Sequence, residues 1–83
     1  MSRLEKLYWK VASAPANTRF DDLIQLVEAL GFEELRQKGS HRIFHHPDRV
    51  ALYLNLQARG AEAKEYQVKQ VLAVIEREHL MRW

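Results

Sequence analysis

The chain has 83 residues, 47% hydrophobic and 29% charged, with a formal net charge of +2 and no cysteine. It reads as one globular domain with a small core, which leaves little room for a deep metabolite pocket and excludes disulfides, thiolate metal sites and cysteine nucleophiles. No apolar run approaches the roughly 20 residues of a membrane span, and the charged N-terminus lacks a signal-peptide core, so a cytoplasmic protein is expected.

Ser2 and Glu5 have the spacing of a capping box, and Leu4, Leu7, Tyr8 and Val11 follow at helical intervals, which predicts a helix over 3–12. Pro15 and its small neighbours break that helix. A second helix is predicted to start at 18–20. Asp21 and Asp22 suit the positive end of its dipole, Phe20, Leu23, Ile24, Val27 and Leu30 form its apolar stripe, and Gly31 supplies a left-handed stop. Phe32 to Gln37 reads as a first strand, Lys38-Gly39 as a turn, Ser40 to His46 as a second strand and Pro47-Asp48-Arg49 as a connection. Val50, Leu52, Leu54 and Leu56 alternate with Ala51, Tyr53 and Asn55, which predicts a third strand with one apolar face. Gln57 to Lys64 reads as a loop around Gly60. The stripe Val68, Val71, Leu72 and Ile75 predicts a closing helix to about Glu78, after which Leu80 and Trp83 either fray or fold back. The expected fold class is α+β: a single domain over 1–83, with helices on one face of a three-stranded antiparallel sheet and the other face free for a ligand.

The charge is concentrated. Residues 36–49 hold Arg36, Lys38, Arg42 and Arg49 against Asp48 alone, a formal +3, while the rest of the chain sums to −1. Three of the four histidines lie there as well. Such a cluster suits a polyanion, nucleic acid first; the plainer alternative is a solvated basic hairpin. His41 and His45 share a strand face but lie about 13 Å apart, too far to share one zinc ion, so no metal site is expected. A single imidazole suits proton transfer near neutral pH. RNA carries its own nucleophile in the 2′-hydroxyl, so an imidazole at a phosphate with cations around the developing charge needs no metal or other cofactor. Gly39-Ser40-His41 between Lys38 and Arg42 has that inventory, the small residues allowing close approach and Ser40 a hydrogen bond to phosphate. Tyr53, opposite in parity to Leu52 and Leu54, is the aromatic placed to stack on an unpaired base. Phe20, Phe32 and Phe44 are expected in the core, and Tyr8 and Trp9 as packing for the first helix. Arg59 and Lys64 are further candidates for a phosphate contact. A Gly-Ser turn followed by an exposed histidine without any chemistry is the competing interpretation.

Phe20-Asp21-Asp22-Leu23, Leu30-Gly31-Phe32 and Arg36-Gln37-Lys38-Gly39-Ser40-His41-Arg42-Ile43-Phe44, followed by an apolar strand and a closing helix, together resemble the HicA toxin family of bacterial toxin–antitoxin systems. The resemblance covers about residues 20–77. It implies a core, here 18–78, similar to double-stranded-RNA-binding domains, with the helix at 3–12 as an addition. It also implies a ribosome-independent mRNA endonuclease, a HicB-like antitoxin that covers the site, and His41 as the catalytic residue. Many members carry a Pro-x-His segment between the third strand and the last helix. Here Asn55-Leu56-Gln57 leads into Ala58-Arg59-Gly60, so the role of a second histidine is absent or passes to Gln57, Arg59 or His45. The expected function is metal-independent mRNA cleavage, with His41 as general acid or base and Arg36, Lys38, Gly39, Ser40, Arg42 and Tyr53 on the RNA. The rivals are a non-catalytic RNA-binding module and a structural partner for an acidic protein surface.

Overall fold

The computed structural model describes residues 2–81. Its elements run α1 (Arg3–Ser13), a 3-10 turn (Pro15–Asn17), α2 (Phe20–Ala29), β1 (Glu33–Lys38), β2 (His41–His46), β3 (Arg49–Arg59), β4 (Glu62–Ala63) and α3 (Glu65–Arg77). The strands form one antiparallel sheet in the order β1-β2-β3-β4.

The sheet has four strands where three were expected, and 57–64 is not a loop. β3 continues to Arg59, turns at Gly60-Ala61 and returns as β4. The Ala63 amide donates to Thr18 O at 2.9 Å, and Ala61 O accepts from Phe20 N at 3.0 Å. These bonds stitch β4 to the chain entering α2, a long-range tie that two residues cannot announce by periodicity.

The capping box at α1 is present in both directions. Ser2 Oγ accepts from Glu5 N, and Glu5 Oε1 accepts from Ser2 N, each at 3.1 Å. The Ser2 amide thereby holds the Glu5 carboxyl below its ordinary range. Val11 is buried, Leu4, Leu7 and Tyr8 pack on the core, and Lys10 pairs with Asp22 at 3.1 Å. α1 is therefore packed on the core and tied to α2. Trp9 is half exposed, its ring edge-on to Tyr8.

Gly31 ends α2 by a Schellman motif. Its amide donates to Glu28 O and that of Phe32 to Val27 O, both at 3.0 Å, with φ +101° at Gly31. Phe32 goes into the core, so β1 begins one residue later than expected. Phe44, Leu54 and Leu56 on the inner sheet face join Leu23, Leu26 and Val27 of α2 and Val68, Val71 and Ile75 of α3 in one buried cluster. Val50, at the start of β3, stays exposed. His46 is buried and structural: Nε2 donates to Leu30 O at 3.1 Å, and Nδ1 accepts from Asp48 N at 3.2 Å. Beyond α3, Leu80 and Met81 return to the core, while Trp83 lies outside the described residues. Among the described residues no helix is long and apolar enough to cross a membrane.

Candidate functional site

Two residues, Gly39 and Ser40, join β1 to β2, so Lys38 and His41 face each other as the last ladder pair. A Cβ on Gly39 would meet nothing within 4 Å, so space does not demand glycine there. Its φ of +61° does, as tight hairpin turns require. Across the next strand, His41 pairs with Gln57 and Ile43 with Asn55. One step beyond β4, Lys64 reaches Gln57, its Nζ donating to Oε1 at 2.6 Å. Lys38, His41, Gln57 and Lys64 thus form one row across the bare face of the sheet.

Side chains bind this row together. Gln57 Nε2 donates to Ser40 Oγ at 2.8 Å, and His41 Nδ1 lies 3.0 Å from Asn55 Oδ1. His41 is exposed, and its Nε2 has no hydrogen-bond partner among the described residues. Lys38, Gly39, His41, Ile43 and Asn55 line an open depression of about 410 Å³.

The strand that carries Asn55 and Gln57 is held from α3. Gln67 is buried, and its Oε1 accepts from Gln57 N at 2.9 Å while its Nε2 donates to Asn55 O at 3.1 Å. β4 ends at Ala63 and leaves that part of the β3 edge bare. The Gln67 amide acts there as the peptide group of a missing strand, satisfying one donor and one acceptor.

The structure brings together Lys38, Gly39, Ser40 and His41. Arg36 pairs with Ile43 one step along the same face, and Tyr53, 59% exposed, lies further along opposite His45. It does not bring Arg42 to them. Arg42 pairs with Leu56 on the helix-facing side, and its Nε and one terminal nitrogen each donate to Glu34 at 2.8 Å. That fork pushes the guanidinium up and holds the Glu34 carboxyl below its ordinary range. Of the candidates for a second histidine's role, Gln57 is in the row, and Arg59 ends the same strand. His45 lies at the far end of β2, 3.8 Å from Glu33. Among the described residues no group of three or more His, Cys, Asp or Glu is gathered for a metal ion.

Asn55 and Gln67 had no role in the sequence reading. Each left a trace: an amide on the bare-face parity of an aliphatic strand, and an amide inside the buried stripe of a helix.

Helices on one face of an antiparallel sheet, in helix–strands–helix order, with a histidine in a cationic row on the other face, define a small α+β domain of the double-stranded-RNA-binding type. Residues 20–76 match the family described as the HicA toxin of bacterial toxin-antitoxin, and the chain belongs to that family. The match begins at α2 and leaves α1 outside it. Comparison with curated proteins and with solved structures finds no match.

Proposed function

We propose that this toxin cleaves mRNA without a metal ion at the row Lys38–His41–Gln57–Lys64. The observation that supports it best is His41 itself: exposed, held at Nδ1, without a partner at Nε2 among the described residues, and cross-strand from a lysine. An imidazole so placed exchanges a proton with the 2′-hydroxyl or the leaving 5′-oxygen. Lys38 and Arg36 stabilise the charge that develops on the phosphate, and the amine of Lys64 adds to the field from the other end of the row. Ser40 Oγ accepts from Gln57, which leaves its own hydroxyl hydrogen to donate to a phosphate oxygen. Tyr53 stacks a flanking base. Arg42, engaged by Glu34 on the opposite face, takes no part. A HicB-like antitoxin silences the protein in the cytoplasm by covering the same bare face.

The test is incubation of single-stranded RNA in EDTA with wild type and with His41→Ala, both checked for folding by circular dichroism. Wild type should cleave, and the variant should lose about 10²–10⁴-fold in rate. Equal cleavage by both would remove His41 from the chemistry. Salt-dependent binding by both without cleavage would establish the non-catalytic RNA-binding module instead.

A further inference from the structure

We infer that Asn55 is a positioning residue that fixes the neutral tautomer of His41 and makes it the base of the reaction. The catalytic part of this inference rests on the cleavage chemistry proposed above; the tautomer does not. Asn55 turns Oδ1 to the ring at 3.0 Å, and since an amide oxygen only accepts, His41 Nδ1 is the donor in this arrangement. A neutral imidazole has one N–H, and with it on Nδ1 the lone pair sits on Nε2, which has no partner among the described residues; His41 lines the depression with Lys38, Gly39 and Ile43.

Asn55 is well held for this task. It stands opposite Ile43, diagonal to His41 across the β2–β3 ladder, and Gln67 pins its carbonyl from behind. Its side chain is also uncharged. A carboxylate at this position would stabilise the imidazolium strongly; an amide orients the ring and does so far less. The ionisable groups arranged around His41 are Lys38 and Arg36 on β1, Arg59 beyond Gln57 on β3, Lys64 through Gln57, and His45 along β2, with Glu33 and Glu62 at the two ends of the face.

The step then runs in one direction. Nε2 takes the 2′-hydroxyl proton as the 2′-oxygen bonds to phosphorus. The bond from phosphorus to the 5′-oxygen breaks, and that oxygen leaves with a proton from water. The products are a 2′,3′-cyclic phosphate and a 5′-hydroxyl, and the proton on His41 returns to solvent.

Long-range ¹⁵N–¹H NMR on the free protein, at a pH where the ring is neutral, reads the tautomer without RNA. Wild type should show Nδ1 protonated and Nε2 bare, and Asn55→Ala should move toward the Nε2–H form that free histidine favours. An Nε2–H ring in wild type, or no change in the variant, overturns the assignment even if cleavage is intact. With RNA, Asn55→Asp keeps the acceptor and adds a charge, so the acid limb of the pH–rate profile should move up by about one unit with the maximal rate retained. Asn55→Ala should lower kcat instead. A shift of the alkaline limb in Asn55→Asp would make His41 the acid and overturn the base assignment. A wild type that cleaves nothing overturns the proposed function, and the tautomer measurement still decides on Asn55.

Discussion

Gln67→Leu tests the view that a side chain closes the sheet where β4 stops. Leucine is close to glutamine in size, so the helix packing is preserved, but the Gln57 amide and the Asn55 carbonyl lose their partners at 2.9 and 3.1 Å. Two stranded backbone groups cost about 1–3 kcal/mol each, and burying leucine returns about 1.5–3 kcal/mol, leaving a loss of about 2 kcal/mol. A domain of this size has roughly 4–12 kcal/mol in total, so the loss should lower Tm by roughly 8–16 °C. Urea unfolding at pH 7 measures the global effect, and hydrogen exchange at the Gln57 amide should show a selective loss of protection. Gln67→Glu adds a contrast. Its carboxylate still accepts from Gln57 but opposes the Asn55 carbonyl, and protonation restores the donor. Its folded pKa is therefore raised, so the deficit should be absent below the unfolded carboxylate pKa and grow as pH rises above it. A Gln67→Leu change smaller than about 0.5 kcal/mol, with Gln57 still protected, would refute the reasoning.

Gly31→Ala should cost about 2–3 kcal/mol by urea unfolding, since φ is +101° and the new Cβ would stand 3.0 Å from His46 Nε2, the atom that holds Leu30 O; an unchanged midpoint would show that the turn relaxes freely. Lys38→Gln should flatten the salt dependence of RNA binding by about 0.7 in log–log slope, one phosphate contact, while Arg42→Gln leaves the slope alone. Arg42 acts on stability instead. It holds the Glu34 carboxyl below its ordinary 4.5, so the pair's contribution is present above the unfolded value and lost as pH falls through the lower folded value. Arg42→Gln should therefore lose less stability than wild type on acidification below pH 4.5, and equal losses would contradict this.

Much of the architecture was legible because local chemistry and long-range packing agree. The capping box at Ser2 and Glu5 and the stripe of α2 with its Gly31 stop are local signals that tertiary structure had no reason to override. The inward parity of Leu54 and Leu56, with Tyr53 outward, followed from alternation alone. β4 was not legible, since its two residues are held by backbone bonds to residues 18 and 20. The side of Arg42 was legible, although the expectation that it contacts RNA took no account of it. Arg42 shares parity with Phe44, which is fully buried, so a strand that turns His41 outward must turn Arg42 to the helices. The bulge between Glu34 and Arg36 is a different case: it leaves Leu35 54% exposed, and nothing in the strand's composition announces it. For the site, the motif pointed to His41, but its orienting partner comes fourteen residues later and that partner's clamp from another element.

The row across the sheet takes one residue from each of four separate stretches of chain, and the last two supports, Lys64 and Gln67, belong to the final quarter of the sequence. Translation runs from the N-terminus, so a growing chain displays the Gly-Ser-His turn well before anything can align it. A fragment ending at Arg59 holds every residue of the motif, but neither the amine that meets Gln57 nor the amide that fixes Asn55. Under the proposed cleavage of transcripts, that order of synthesis assembles the site last, when the closing helix docks, and a fragment ending at Arg59 should be inactive.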